Sequence, residues 1–272
     1  FLFMRYAAPA FGPVPLIWLR VAVAALCLAP LLIVRGQQGV LRQHATGIAL
    51  MGVFSSALPF VLIAWAMLSI TAGLASILNA TVPIFTALIG ALWLRERLGV
   101  WRTSGLAVGF GGVLLLAADK ADFKPGGSGW AIAAMLLATL SYGFAANLAR
   151  RRLTGVPALV NAAGSQIVSA IVLLPFAVWF WPPTTPGWMA WSAAVVLGVG
   201  CTALAFLLFF RLIANVGASR AVTVTFLIPL FGVLWGSLFL GETLNAGMLV
   251  GGSVVVLGTA LATGVLHLPV RA

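Results

Sequence analysis

The chain has 272 residues, of which 62% are hydrophobic and 7% charged, and it carries a net charge of +11. Soluble domains hold about 45–50% apolar and about 25% charged residues, so this composition excludes a water-soluble globular domain. Its basic residues are scattered in short segments between long apolar runs, the pattern of positive-inside loops and not of a nucleic-acid-binding face, and no nucleic-acid partner is expected.

In chain order, Phe1-Leu2-Phe3-Met4-Arg5 opens without an initiator methionine or a signal-peptide n-region. A stub at 1–8 reads as the end of a helix, and about 15–20 upstream residues are expected to complete it. Full spans are predicted at roughly 12–34, 45–69, 72–95, 100–118, 128–151, 157–181, 187–213, 217–240 and 246–268. Each run is about the length that crosses a hydrocarbon core. In lipid only helices or closed barrels satisfy their backbone, and the runs lack the alternation of barrel strands. Nine complete spans and the tail of a tenth follow. Cys27 and Cys201 lie inside apolar runs without CxxC spacing, which supports neither a disulfide frame nor a metal site; they are read as packing residues.

Displacing the chain by 146 residues pairs Leu58 with Leu204, Phe60 with Phe206, Pro83 with Pro229, Phe85 with Phe231, Gly90 with Gly236, Glu96 with Glu242 and Gly112 with Gly258. Pro30 pairs with Pro175 at 145. This is an internal duplication, with one repeat over 1–118 and a second over 128–268. Five spans per repeat is an odd number, so the second repeat is expected to enter the membrane inverted, a transporter architecture. The fold class expected is therefore an all-α membrane protein, a ten-helix bundle of two inverted five-helix repeats with its first helix only partly present.

Loop charge gives the orientation. Arg35, Arg42, Arg95, Arg97, Arg102, Arg150, Arg151, Arg152, Arg211, Arg220 and Arg271 collect on one side, while the other holds Lys120 and Lys124, offset by Asp119 and Asp122. Arg5 and Arg20, in or near spans on that second side, are ambiguous. Both termini are expected in the cytoplasm. Trp179, Trp181, Trp188 and Trp191 flank an uncharged loop, where an interfacial belt should lie. Trp65 is open between an interfacial anchor and a surface for a substrate ring.

Pro83 and Pro229 fall near the middle of symmetry-related spans. A proline there frees a carbonyl and kinks the helix, tolerable in a membrane where protein or a wet cavity receives the freed group. Ser76, Asn79 and Pro83 share one helical stripe, and Thr225 and Pro229 repeat it. Together they are read as walls of a substrate cavity near the midplane; the competing reading is that such residues only hydrogen-bond neighbouring helices. Tyr142, Asn147 and Gln166 are added as candidates because large polar groups inside lipid need partners.

All four acids, Glu96, Asp119, Asp122 and Glu242, fall at helix ends or in loops, and His44 and His267 lie in a loop and near the last span's end. No carboxylate sits within a complete span, where coupled pumps usually keep an ionisable group. No catalytic triad, zinc ligand set or phosphate-binding loop is present, so no enzyme activity, metal or cofactor is expected. Glu96 and Glu242 are read as carboxylates favouring the N-terminus of the helix that follows each. Gly105, Gly109, Gly111 and Gly112, with Gly247, Gly251, Gly252 and Gly258, allow close backbone approach, either within the bundle or in a dimer seam.

The duplicated unit with Pro83 and Pro229, the turns Leu94-Arg95-Glu96-Arg97-Leu98 and Leu240-Gly241-Glu242-Thr243-Leu244, and the glycine-rich helices beyond them resemble the EamA-type drug/metabolite transporter superfamily over essentially the whole chain. The resemblance implies ten spans in two inverted halves, a cavity lined largely by the family's third, fourth, eighth and ninth helices, and export of small metabolites such as amino acids. The opening run is similar to that of bacterial amino-acid exporters, including those for aromatic amino acids. The expectation is a bacterial inner-membrane exporter working by alternating access, a monomer or homodimer whose partners are a small-molecule substrate and the lipid bilayer. A passive channel and a broad-range drug/metabolite efflux protein are the alternatives.

Overall fold

The computed structural model describes residues 1–96, 98–118, 123, 128–216, 222–243 and 245–265. Every regular element among them is helical. Helix α1 (Leu2–Phe11) turns at Gly12, φ +78°, into α2 (Pro13–Val34). A short α3 (Gln38–Gln43) precedes α4 (Ala45–Gly52), which runs through a π-helical turn, Val53–Ala57, into α5 (Leu58–Ala66). Then come α6 (Ala72–Asn79), α7 (Val82–Trp93), α8 (Val100–Ala118), α9 (Ser128–Arg152) and α10 (Ala158–Trp179). Helix α11 (Trp188–Gly198) passes through a second π turn, Val199–Leu204, into α12 (Ala205–Val216); a 3₁₀ turn (Val222–Phe226), α13 (Leu227–Leu240) and α14 (Ala246–Ala262) close the chain.

Seven runs are long and apolar enough to cross a bilayer: Pro13–Val34, Ala45–Ala66, Ala72–Trp93, Val100–Ala117, Ser128–Arg152, Ala158–Trp179 and Trp188–Phe209. Two shorter apolar helices, Val224–Leu240 and Ala246–Ala262, follow. Each of the nine predicted spans falls on one of these runs, and the chain is a multi-pass membrane protein. Parts of the last two spans, together with Asp119, Lys120, Asp122, Lys124, Arg97, Arg220, His267 and Arg271, lie outside the described residues.

Two local geometries occur twice at the predicted displacement. The π turns begin at Val53 and Val199, 146 residues apart. Each follows a glycine seated against the backbone of another helix. A Cβ at Gly52 would come within 2.9 Å of the Ser165 carbonyl oxygen and 2.8 Å of Val168; one at Gly198 would lie 3.0 Å from the Arg20 carbonyl oxygen and 2.6 Å from Val23. The second recurrence ends α7 and α13. The Glu96 amide donates to the Gly90 carbonyl at 3.3 Å and the Glu242 amide to that of Gly236 at 3.1 Å. Between them Arg95 (φ 55°) and Gly241 (φ 63°) adopt the left-handed conformation. These six-to-one bonds with a left-handed residue form a Schellman C-cap, which is the physical content of the Leu-Arg-Glu and Leu-Gly-Glu turns.

The glycine-rich helices pack on each other. A Cβ at Gly105 would meet the Ala262 nitrogen at 2.4 Å, at Gly112 the Val255 nitrogen at 2.7 Å, and at Gly258 the Gly109 nitrogen at 2.3 Å. Helices α8 and α14 therefore touch backbone to backbone, and this glycine seam is internal. Gly111 faces open space.

Other expectations change. Glu242 does not cap α14, the helix that follows it, because Asn245 already accepts from the Met248 amide there. It reaches across the duplication to the first turn of α6, accepting from the Ala72 amide at 2.7 Å and the Gly73 amide at 3.0 Å. Glu96 pairs with Arg150. Arg5 donates to the Met67 carbonyl at the end of α5. Cys27 and Cys201 are exposed free thiols and not interior packing residues. Of the four belt tryptophans, Trp179 and Trp188 point outward, while Trp191 packs edge-on against the buried Phe11 at 4.9 Å and Trp181 at 6.3 Å.

Candidate functional site

The site begins where two helices are interrupted. Between α6 and α7 the backbone tightens: the Ala80 amide donates to the Ile77 carbonyl and the Thr81 amide to that of Leu78, both three residues back. Pro83, in the first turn of α7, has no amide hydrogen to continue an α ladder from the preceding helix. Side chains hold the interruption open: Thr259 of α14 donates to the Ala80 carbonyl at 2.7 Å, and Thr81 donates to the Thr139 hydroxyl of α9 at 3.1 Å. In the other repeat the 3₁₀ turn containing Thr225 leads into α13, and Pro229 occupies that helix's first turn.

The two interrupted helices meet. Ser76, fully buried, donates to the Gly73 carbonyl at 2.7 Å and lies 3.5 Å from that of Pro229. A Cβ at Gly232 would fall 2.2 Å from Ser76, so glycine at 232 is what lets α13 lie on α6. Asn79 is half-buried, and its amide makes no hydrogen bond to a described residue. Asn147 is its opposite. Fully buried, it donates to the Thr86 and Gly143 carbonyls at 2.9 Å each and accepts from Arg150 at 3.4 Å, so its amide is committed to joining α7 and α9.

A second polar layer centres on the π turns. Such a turn adds a residue and leaves backbone groups in need of partners. Ser141 donates to the Phe54 carbonyl at 2.7 Å and Ser169 to that of Gly52 at 2.8 Å. The hydroxyls of the turns then receive long side chains from neighbouring helices. Gln166 on α10 donates to Ser56 at 2.9 Å, and Arg20 on α2 donates through Nε to Thr202 at 2.9 Å. Ser56 and Thr202 are partners at the 146-residue displacement, and Gln166 stands one position beyond Ser165, the backbone counterpart of Arg20. The Gln166 carbonyl oxygen is buried without a partner among the described residues.

Arg20 is the functional residue that sequence reasoning missed. It lies seven residues beyond Pro13 at the start of α2, about 10 Å along the axis. A charge at the centre of a spanning helix costs about 2.5–3.5 kcal/mol on insertion scales and is ordinarily paired. Its guanidinium lies over the Phe60 ring, 3.7 Å from the centroid, with the Tyr142 phenol and Cys201 thiol as electrostatic neighbours. Tyr142 packs edge-on toward Phe60 at 6.2 Å. No described carboxylate pairs with Arg20: Glu96 is engaged by Arg150 and Glu242 by the α6 amides. A lone arginine in an otherwise uncharged 22-residue apolar run was the available signal; treating it as a topology marker hid it.

The predicted residues thus divide between two places. Ser76, Asn79, Pro83, Thr225 and Pro229 belong to the paired interruptions, Tyr142 and Gln166 to the layer around the π turns, and Asn147 to the α7–α9 contact. Among the described residues no group of three or more His, Cys, Asp or Glu side chains could hold a metal.

Comparison with known proteins agrees with this architecture. The chain is 28% identical over 261 residues to the "Probable terminal-alkyne amino-acid exporter" of Streptantibioticus cattleyicolor, spanning 95% of this chain and 86% of that protein. It is 23% identical to the uncharacterized transporter YoaV of Bacillus subtilis, over 90% of this chain and 85% of the relative, and 24% identical to the uncharacterized inner membrane transporter YedA of Escherichia coli K12, over 96% and 84%. One solved crystal structure superimposes with a TM-score of 0.69 at 21% identity, covering 97% of this chain and 91% of that one, a likeness of fold alone. The EamA-like transporter family matches residues 1–118 and 129–264, and with nearly all of its length matched the chain belongs to the EamA-like transporter family.

Proposed function

We propose that the protein exports small amphipathic metabolites, amino acids among them, across a bacterial inner membrane by alternating access, with two inverted five-helix repeats (1–118 and 128–268) moving around a site between the interrupted helices. The observation that carries this reading is the contact of α6 with α13 beside the two prolines: irregular backbone at membrane depth is tolerated where it lines a cavity or is buried in protein, and transporters bind substrate at such breaks. In this reading Asn79, Thr225, Tyr142 and the faces of Pro83 and Pro229 line the path, with Ser76, Gln166 and Asn147 behind them. The end of the bundle bearing Glu242 and the α6 N-terminus faces the periplasm and is closed, and both chain termini are cytoplasmic. The amino-acid exporter among the relatives supports the substrate class.

Counterflow in proteoliposomes tests it. Preloading with an unlabelled apolar amino acid should accelerate entry of the labelled one, with saturation. Flux that rises linearly with concentration and shows no trans-acceleration would favour the channel instead.

A further inference from the structure

Arg20 makes one hydrogen bond to a described residue, through Nε to Thr202, and lays one face on Phe60. Its Nη1 and Nη2 groups make none. Two explanations for such an arginine fail on the page. It does not snorkel to the interface, because the side chain is tied down between Phe60 and Thr202. Nor does tying a neighbouring helix to a π turn require its charge: in the other repeat the neutral amide of Gln166 does that job, donating to Ser56 at the same 2.9 Å while completely buried. What Arg20 adds over Gln166 is a positive charge and a free planar edge, half-buried and without a described counterion.

We infer that Arg20 is the receptor for a substrate carboxylate, so that the site selects small amphipathic carboxylic acids, zwitterionic amino acids among them, over their uncharged or cationic derivatives. The free edge of a guanidinium whose Nε is already committed presents two parallel N–H donors, the geometry that a carboxylate accepts in bidentate fashion and an ammonium cannot reproduce. Phe60 beneath the guanidinium fixes its plane, and the apolar ring of Tyr142 adjoining Phe60 offers a surface for the substrate's apolar part. Thr202 holds the side chain's reach constant, as a preorganised receptor requires. This assignment rests on the transport reading above and names the substrate group that the site recognises.

The test is acid-against-amide selectivity in the detergent-purified protein, read by thermal stabilisation with the L-forms of valine, leucine, methionine, phenylalanine and tryptophan and with the carboxamide of each. At least one acid should stabilise the wild-type protein at a concentration at least tenfold lower than its carboxamide. Arg20→Gln copies the structural arrangement of the other repeat; it should keep the melting temperature of the unliganded protein and its response to the carboxamide, and lose the acid preference. Arg20→Lys keeps a charge without the bidentate edge; its acid preference should survive weakened by about tenfold, and this variant decides the matter should Arg20→Gln not fold. Absence of acid preference in the wild type, or full preference in Arg20→Gln, or in Arg20→Lys, would overturn the inference. Because binding in detergent needs no flux, a null counterflow result would fault the transport reading while leaving this measurement decisive for Arg20.

Discussion

Asn79 and Asn147 show how one residue type divides between two jobs. Both are large polar groups inside predicted spans, and the sequence offers no means of ranking them. The fold separates them by hydrogen-bond accounting: the amide of Asn147 is fully committed and completely buried, whereas Asn79 is half-buried with its amide uncommitted. Replacing Asn147 with leucine should therefore destabilise, by about 1–3 kcal/mol, because a buried network loses its donor. Replacing Asn79 should leave thermal stability nearly unchanged while reducing counterflow at least tenfold. Melting curves of the two variants beside their transport rates check both expectations; a normally transporting Asn79→Leu protein with a lowered melting temperature would return Asn79 to the role of helix glue. The interruption itself was legible from Pro83 and Pro229, since proline carries its backbone consequence in its own covalent structure. The hydroxyls that support it, Thr259 and Thr139, were not, because their partners Ala80 and Thr81 lie 179 and 58 residues away.

At the scale of elements, apolar run length located every helix, and a 146-residue displacement aligned their interruptions. Run length could not reveal the π turns, whose extra residue is invisible to a window of average hydropathy; yet Gly52 and Gly198, each packed against a neighbouring backbone just before its turn, occupy equivalent positions. The GxxxG patterns left a choice between an internal and an external seam, and only the pairing of α8 with α14 decides it. At that seam Gly258→Val places carbon where the Gly109 backbone already sits, 2.3 Å from its nitrogen. Overpacking of this kind costs about 1–3 kcal/mol, and the helices can respond only by separating. The variant is expected to lose folded yield and melting temperature, while Gly111→Ala, which points into open space, should match the wild type. Size-exclusion yield and a thermal melt are sufficient; equal behaviour of the two variants would contradict the packing described.

For the molecule as a whole, Glu242 is the clearest physical link between the repeats. Its carboxylate meets the unpaired amides at the α6 N-terminus, an interaction worth about 0.3–1 kcal/mol when exposed and up to about 2 kcal/mol when partly buried. In the proposed cycle this contact latches the periplasmic end, and a two-state equilibrium of a few kcal/mol would feel its loss. Glu242→Gln should speed hydrogen exchange of the Ala72 and Gly73 amides by about tenfold, and unchanged protection would remove the latch. The positive-inside bias made the orientation legible, whereas the reach of Glu242 across 170 residues was not, since the sequence places it next to a different helix end.

The most direct test of alternating access is two-sided labelling of a cysteine at position 79. In a background carrying Cys27→Ser and Cys201→Ser, Asn79→Cys should react with a membrane-impermeant thiol reagent from the cytoplasmic side, and from the periplasmic side once Glu242→Gln releases the latch, with a saturating transported amino acid slowing both reactions. A cysteine unreactive from either side, or equally reactive from both with the latch intact, would contradict a site between two alternately opening halves.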